Sequence, residues 1–329
     1  MRATALNLRR LLRILGKLFV ILVTIASCSV FRGVLPAEFP GKTAAADDRA
    51  DSVDHIEMHW IGHATVLLRV HDRWILTDPC FSTYLGPVKR YIEPSLTPRE
   101  LPELDWVLIS HTHLDHLDRS SLKAIPRAKN LLAPAGGRVY IPGVSADRIV
   151  GVNDGLMTED SGVRVTAVPA QHFGGRFLID NVWDGEPYTG YVIEYRDTAI
   201  YFAGDTGYHP ELFKKIGEQF YLDLVLMPMG PTRGPAGVRT GFGKYVHVNP
   251  DEAVQAFADT NARWMVPIHH STFYRRGGSE MDAIQEAIAG SALRDRIYLA
   301  SVGERIAFDP RTNRVARLSR GESLGGSNN

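Results

Sequence analysis

The feature that most constrains this chain is an internal repeat in which a β-hairpin ends in an aspartate. Residues 65–78 predict two apolar strands joined by a short turn, and the second strand ends at Asp78. Residues 191–205 repeat this pattern and end at Asp205. Each copy is followed by an apolar run that opens with Leu-Asp, at residues 104–109 and 222–227. Two β-rich halves of the same order predict two sheets packed face to face, with helices over their outer faces.

The expected fold is therefore α+β, a four-layer αββα sandwich built from two similar halves. Capping patterns predict helices that begin after Asp118 and after Asn249, where Pro250 and Glu252 complete the signal. A third helix is predicted at residues 280–288. Two independent domains joined by a linker near residues 151–162 are the alternative.

A cluster of metal-binding residue types directly follows the first of these apolar runs. Its sequence is His111-Thr112-His113-Leu114-Asp115-His116. Three imidazoles and one carboxylate within six residues suit a borderline metal such as zinc. The spacing of His111 and His113 lets both point the same way from extended backbone, and Asp115 and His116 would then face a second ion. A chance cluster of surface histidines is the alternative interpretation.

This cluster resembles the HxHxDH signature of the metallo-β-lactamase fold, whose architecture is the sandwich described above. The resemblance implies two zinc ions and adds three ligands, His172, Asp205 and His269, each of which follows an apolar stretch. His270 competes for the last position, and we favour His269 because it directly follows the predicted strand. One ion would take His111, His113 and His172, the other would take Asp115, His116 and His269, and Asp205 would bridge them.

Other residues are candidates for supporting roles. By position Asp78 resembles the aspartate of the family that accepts a hydrogen bond from a ligand histidine, although it also fits a turn at a strand end. His63 is a second candidate beside the ligands, although a lone histidine ahead of a strand is somewhat more often structural than functional. Asp115 and His247 are the candidate catalytic residues; His247 would bind phosphate or protonate a departing alkoxide, or simply pack at the helix entry.

Substrate contacts are less constrained. Arg233 and Arg239, in a loop rich in glycine, proline and arginine, would hold a phosphate or meet anionic lipid. Phe173 would contribute an apolar lip beside the metals. Solvated arginines and an ordinarily packed phenylalanine are the alternatives.

Within the fold, the chain is similar to the branch that contains N-acylphosphatidylethanolamine-hydrolysing phospholipase D. The resemblance rests on residues 60–67, 76–79, 107–111, 204–208, 247–253 and 268–273. The chain departs from that branch at Leu114, where the lipase has tyrosine, and at Val246, where it has glutamine.

The implied function is a zinc-dependent phosphodiesterase of phospholipase D type. It would hydrolyse N-acylphosphatidylethanolamine or a related phospholipid with hydroxide generated at the metals. A lactonase or esterase of the same fold, and a non-enzymatic metal-binding envelope lipoprotein, are the alternatives.

The N-terminus predicts export. Residues 1–27 read as a signal peptide, with a cationic start and nine uncharged, mostly apolar residues at 18–26. Residues 25–28 resemble a lipobox, which would make Cys28 the lipidated first residue of the mature chain. We expect a tether at 28–55, a hydrolase domain at 56–310 and a flexible tail at 311–329. The protein would be anchored to a membrane of the cell envelope and face the periplasm or the exterior. A signal anchor in the inner membrane is the alternative.

Charge argues against nucleic acid as a partner. Residues 28–329 carry 32 Lys and Arg against 37 Asp and Glu, a formal charge of −5, whereas proteins that follow phosphate backbones concentrate basic charge. The two cysteines exclude a disulfide framework. The expected partners are thus a phospholipid or other phosphodiester and a membrane surface, and the oligomeric state stays open.

Overall fold

The computed structural model describes residues 33–34, 56–173, 176, 187–230, 246–273 and 279–318. The strands are β1 (Gly33–Val34), β2 (Ile56–Gly62), β3 (Thr65–Val70), β4 (Arg73–Thr77), β5 (Tyr84–Leu85), β6 (Val88–Lys89), β7 (Trp106–Leu108), β8 (Ala128–Pro134), β9 (Ala146–Val152), β10 (Met157–Asp160), β11 (Val163–Val168), β12 (Gly190–Tyr195), β13 (Thr198–Phe202), β14 (Leu224–Pro228), β15 (Trp264–Ile268), β16 (Arg305–Asp309) and β17 (Arg314–Leu318). The helices are α1 (Arg119–Ala124), α2 (Pro210–Gln219), α3 (Pro250–Thr260) and α4 (Ser279–Gly290), with short 3-10 helices at Pro98–Glu100, Ala135–Tyr140 and Arg294–Arg296.

Two mixed sheets form the centre of the fold. One has the strand order β17-β16-β2-β3-β4-β7-β8-β9, and the other has the order β10-β11-β12-β13-β14-β15. The small strands β1, β5 and β6 form a separate sheet. Both predicted hairpins are present, as the antiparallel pairs β3–β4 and β12–β13.

Most of the described core lies in three apolar layers, one between the sheets and one on the outer face of each, and a small fourth cluster contains Cys80, Leu85 and Phe273. Ile75 and Leu108 of the first sheet share the central layer with Ile193, Phe202 and Leu226 of the second. The residues beside them in sequence, such as Leu76 and Val107, face the outer layer. These strands are buried on both faces, which explains why they read as continuous apolar runs rather than as alternating ones.

Helices cover both outer faces and complete the αββα sandwich. Leu122 of α1 packs on the first sheet, while Phe213 of α2 and Phe257 of α3 pack on the second. The predicted fold class is therefore confirmed. The interpretation as two independent domains is wrong, because both halves contribute to one central layer.

Two helices begin at the positions that their capping residues predicted. The Asp118 side chain accepts a hydrogen bond from the Ser120 amide at the start of α1. At the start of α3, Asn249 and Glu252 form a reciprocal capping box. Helix α2 was not predicted, because its N-cap residue His209 is not one of the residue types that favour this position.

The structure corrects one predicted boundary and modifies another. The tail was expected from residue 311, but β17 pairs with β16 and extends the domain to Leu318. Residues 33–34, inside the predicted tether, form β1 and pair with β5. The predicted signal peptide and Cys28 lie outside the described residues. Among the residues described, no helix is both long and apolar enough to cross a bilayer.

A close approach between α2 and α3 gives a test of this packing. A Cβ atom on Gly217 would lie 2.5 Å from the Thr260 carbonyl oxygen, which belongs to rigid backbone. We expect Gly217→Ala to lower the free energy of unfolding by about 1–3 kcal/mol, because overpacking outweighs the gain in helix propensity. Denaturant unfolding followed by circular dichroism measures this loss.

Gly290→Ala is the matched control, since nothing lies within 4 Å of a Cβ atom at that position. It should leave stability unchanged or raise it by up to about 1 kcal/mol. Equal effects of the two substitutions would show that α2 and α3 do not approach as closely as described.

Candidate metal centre

The carboxyl ends of parallel strands bring the candidate ligands to one edge of the sandwich. Strands β4 and β7 run parallel, as do β13, β14 and β15. Asp78 follows β4, the histidine cluster follows β7, Asp205 follows β13 and His269 follows β15. Side chains that leave neighbouring parallel strands at the same edge can converge without help from long loops.

The first group of ligand atoms belongs to His111, His113 and His172. Nε2 of His111 lies 2.9 Å from Nδ1 of His113, and Nε2 of His172 lies 3.3 Å from the same atom. Nδ1 of His172 donates a hydrogen bond to the Val246 carbonyl at 2.8 Å, which leaves Nε2 with a free lone pair. The three rings can therefore present nitrogen lone pairs to one point.

The second group contains Asp115, His116 and His269, with His63 beside them. Nε2 of His269 lies 3.1 Å from Nε2 of His116, and each of these nitrogens is 3.7 Å from Oδ2 of Asp115. Nδ1 of His269 donates to the Gly230 carbonyl at 2.9 Å. The ligand atoms of this group, including Nε2 of His63, all lie within 4.8 Å of one another.

Asp205 lies between the two groups. Its Oδ2 is 3.8 Å from Nε2 of His111 and 3.4 Å from Nε2 of His116. Its Oδ1 lies 3.1 Å from Nε2 of His269 and is buried without a hydrogen-bond partner. One carboxylate thus faces both sets of imidazoles.

Asp78 supports the ligands from behind. It is fully buried, and its Oδ2 lies 2.6 Å from Nδ1 of His116. The Ser110 amide and hydroxyl donate to the two Asp78 oxygens at 2.7 and 2.5 Å. With its proton held on Nδ1, His116 presents Nε2 towards Asp205.

The backbone at Asp205 has a conformation that glycine makes possible. Gly204 has φ +61°, and a Cβ atom there would lie 2.5 Å from Cβ of Ser110. The Thr189 amide also donates to the Ser110 carbonyl at 2.8 Å. These contacts join the ligand loops of the two sheets at one position.

The electrostatics of the centre favour a cation. Burial opposes the charged form of Asp205, but the neighbouring His269 and His116 imidazoles hold the pKa of this carboxyl well below its usual value. Burial also opposes protonation of His116, yet Asp205, Asp115 and Asp78 raise its pKa well above the usual value. Burial and the adjacent His116 lower the pKa of His111 well below its usual value, which favours the neutral imidazole that can offer a nitrogen lone pair to a metal ion.

These donor atoms fit metal ions. Nitrogen ligands at 2.0–2.1 Å around a tetrahedral ion are about 3.4 Å apart, close to the nitrogen separations of both groups. Oδ1 of Asp205 is buried and makes no hydrogen bond, although Nε2 of His269 lies 3.1 Å away. It also suits a cation, since a buried carboxylate oxygen without a hydrogen bond is costly. His111, His113 and His172 could hold one ion, Asp115, His116 and His269 could hold another, and Asp205 could contact both.

The three other histidines near the ligands that were predicted from the sequence occupy different environments. Nε2 of His63 lies 2.9 Å from Oδ2 of Asp115, and the ring lies 3.9 Å from that of His269, so this residue contacts the ligands directly. Nδ1 of His247 lies 3.6 Å from Oδ2 of Asp205 at the edge of the centre. His270 belongs to no ligand group among the described residues and packs on Trp60, with ring centroids 4.7 Å apart.

The candidate substrate contacts are only partly described. The Phe173 ring is 41% exposed and lies 4.9 Å from that of His113, at the rim of the first group. Arg233 and Arg239 lie outside the described residues. Ser110 was not predicted from the sequence, although its position directly before His111 is a usable signal. Arg90, a buried guanidinium 4.5 Å from the Phe273 ring, was not predicted either, and the sequence holds no signal for it.

Comparison with known sequences gives three matches of interest. The Beta-lactamase superfamily domain matches residues 73–270. The N-acyl-phosphatidylethanolamine-hydrolyzing phospholipase D 1 of Caenorhabditis elegans is 34% identical over 260 residues, which are 73% of this chain and 70% of the nematode protein. A UPF0173 metal-dependent hydrolase of Caldivirga maquilingensis is 27% identical over 251 residues, covering 75% of this chain and 96% of that protein.

A solved structure has the same fold. Isothiocyanate hydrolase from Delia radicum gut bacteria matches with a TM-score of 0.60 at 19% identity, covering 77% of this chain and 99% of the other. The family match extends from β4, the second strand of the first hairpin, to the last ligand loop and so includes all seven candidate ligands. The chain therefore belongs to the beta-lactamase superfamily and is a metal-dependent hydrolase of the metallo-β-lactamase fold.

Proposed function

We propose that the protein is a two-zinc phosphodiesterase of phospholipase D type that acts on N-acylphosphatidylethanolamine or a related phospholipid. The observation that carries this proposal is the pair of ligand groups with Asp205 between them. Five imidazoles and two carboxylates suit zinc, and two groups that share one carboxylate suit a pair of ions better than a single structural one.

The reaction is hydrolysis at phosphorus. Water adds to phosphorus, the bond from phosphorus to the N-acylethanolamine oxygen breaks, and that oxygen takes up a proton. The products are phosphatidic acid and an N-acylethanolamine. When bound, the metal ions supply an activated water nucleophile and neutralise charge on the phosphate oxygens.

The residues of the chain orient the centre and assist the leaving group. Asp78 keeps His116 in the tautomer that presents Nε2, and the Val246 carbonyl does the same for His172. His63 contacts Asp115 and keeps its carboxylate in place. His247, with a side chain 16% exposed, is placed to donate a hydrogen bond to a phosphate oxygen or to the departing alkoxide.

Similarity to a named phospholipase supports phosphorus over carbon as the atom attacked. The nematode relative is a phospholipase D by name and is 34% identical over most of this chain. The ligand set serves ester carbonyls equally well, because both reactions need activated water and stabilisation of developing negative charge. The substrate panel described below distinguishes attack at phosphorus from attack at an ester carbonyl.

We also propose that the protein works at a membrane of the cell envelope. The support is the sequence of residues 1–28, with its cationic start, its apolar stretch and the lipobox-like residues that end at Cys28. Two acyl chains or more on Cys28 would hold the domain at the surface where a phospholipid substrate resides.

A substrate panel tests the reaction. The full chain in detergent micelles with added zinc is expected to release phosphatidic acid from N-acylphosphatidylethanolamine, as measured by mass spectrometry. Asp205→Ala should lower this rate by at least about 100-fold. Loss of a residue that only hydrogen-bonds a metal ligand costs up to about 100-fold, and loss of a ligand should cost at least as much. Asp295→Ala, at a side chain that is 89% exposed, is the control and should retain the wild-type rate.

Two outcomes would contradict the proposal. Turnover of lactones or carboxylic esters without any phosphodiester would assign the protein to carbonyl chemistry. A near-normal rate for Asp205→Ala would contradict the assignment of Asp205 as a metal ligand.

Metal analysis tests the number of ions. We expect about two zinc ions per wild-type chain after dialysis, because two ligand groups are present. His269→Ala should retain about one, since it removes a nitrogen from the second group. Inductively coupled plasma mass spectrometry on protein of known concentration gives the ratio.

His270→Ala is the neighbouring control. Because His270 packs on Trp60 outside both ligand groups, this variant should keep both ions while its melting temperature falls. Loss of an ion in His270→Ala but not in His269→Ala would reverse the assignment of the last ligand.

A further inference from the structure

Residues 79–92, here called the hairpin segment, form a surface of unusual composition beside the metal centre. The segment contains strands β5 and β6 and has no aspartate or glutamate. Tyr84, Tyr91 and Ile92 are 41%, 50% and 36% exposed, and Lys89 is exposed as well. Glu93, which follows the segment, is half-buried and accepts a hydrogen bond from the Thr83 hydroxyl at 3.2 Å. The aromatic side chains and exposed Lys89 of the segment nevertheless stand out on a chain whose residues 28–329 carry a formal charge of −5.

Backbone contacts attach the hairpin segment to the loop that carries His269. The amides of Tyr91 and Ile92 both donate to the Thr272 carbonyl, at 2.7 and 3.2 Å. The Thr272 hydroxyl in turn accepts a hydrogen bond from the His63 amide at 2.8 Å. Backbone hydrogen bonds thus join residues 91 and 92, whose side chains are exposed, directly to the loop that carries His269.

Arg90 holds the segment in shape from inside. Its guanidinium donates to the carbonyls of Ser82 and Cys80 at 3.0 and 2.5 Å. It also lies over the Phe273 ring, and Phe273 meets the His63 ring edge-on at 4.9 Å. Because this basic residue is buried, it orders the backbone of the segment while its neighbours Lys89 and Tyr91 face outward.

The chain also approaches the domain at this segment. Strand β1 pairs with β5, with Gly33 opposite Leu85 and Val34 opposite Tyr84. Cys28 lies only five residues before Gly33, so an anchor there could be at most about 17 Å from the hairpin segment along a fully extended chain. A lipid attached to Cys28 would bring this part of the surface to the bilayer.

We propose that the hairpin segment is the face with which the domain docks on an anionic phospholipid bilayer. Tyrosines favour the interface between lipid and water, Ile92 supplies apolar contact, and Lys89 attracts anionic head groups. The inference rests on the proposed function, because docking at this face turns the metal centre towards phosphodiesters in the membrane.

A second exposed apolar pair provides the contrast. Leu156 and Met157 are 42% and 50% exposed at the start of β10, the edge strand of the other sheet. Asp154, Glu159 and Asp160 lie close to them in sequence. Similar exposure with an acidic surrounding makes Leu156 the matched control position, because anionic lipid would repel its neighbours.

The test places a fluorescent probe at each position. Ile92→Cys and Leu156→Cys are made in the full chain and labelled with an environment-sensitive dye. The proteins are then reconstituted into vesicles of equal parts phosphatidylglycerol and phosphatidylcholine that contain a nitroxide-labelled lipid. The native thiol of Cys80 is buried, and the parent chain, labelled in parallel, sets the background. Quenching at position 92 is expected to be at least about twofold that at position 156.

Lys89→Glu tests the charge preference. It should reduce quenching at position 92 in these vesicles and leave it unchanged in pure phosphatidylcholine. Equal quenching at positions 92 and 156, or no quenching at either, would overturn the docking face. If Lys89→Glu left quenching at position 92 unchanged in the phosphatidylglycerol vesicles, the proposed preference of the docking face for anionic lipid would be overturned.

Phospholipid turnover in micelles, measured on the unlabelled parent chain, separates this inference from the proposed function. Turnover without selective quenching at position 92 retains the phospholipase and rejects the docking face. Selective quenching without phosphodiester turnover retains the docking face and rejects the reaction.

Discussion

The negative charge of two carboxylates, Asp205 and Asp115, is the constraint on which the site depends. The Asp205 side chain is buried, and that of Asp115 is 30% exposed. Buried carboxylates are costly unless positive charge lies close to them. Here imidazoles surround both groups, and Asp205 and Asp115 raise the pKa of His116 well above its usual value in spite of burial. Metal ions satisfy the same requirement with more charge and fixed geometry, so metal binding and the stability of this edge of the sandwich are coupled.

The two sheets matter because they hold these ligands without flexible loops. His111 and His116 leave the first sheet after β7, while Asp205 and His269 leave the second after β13 and β15. Ser110 follows β7 of the first sheet, and its contacts with the Thr189 amide and with Gly204 of the second half fix the separation of the two halves. A site built between two packed sheets keeps its ligands in place because the apolar layer between the sheets cannot shear easily.

The surroundings of the centre differ on its two sides. Phe173 exposes an apolar ring next to His113, while the hairpin segment attaches to the loop of His269 through Thr272. Both places combine apolar side chains with close access to the ligands. The proposed phospholipid substrate would use both features, since it has a phosphate to be cleaved and acyl chains that stay in an apolar phase.

Local sequence was sufficient for most of the features that depend on neighbours along the chain. The two hairpins, the capped start of α3 at Asn249 and the dense cluster from His111 to His116 follow from short-range chemistry. The repeat order was enough to predict two sheets and the αββα fold.

Helix α2 was not predicted because no favourable capping residue marks its start at His209, and β17 was not predicted because its pairing with β16 depends on the rest of the sheet. The contact of His63 with Asp115 spans 52 residues, and the burial of Arg90 against Phe273 spans far more. Only packing brings such residues together, since no local pattern records which distant side chain will meet another.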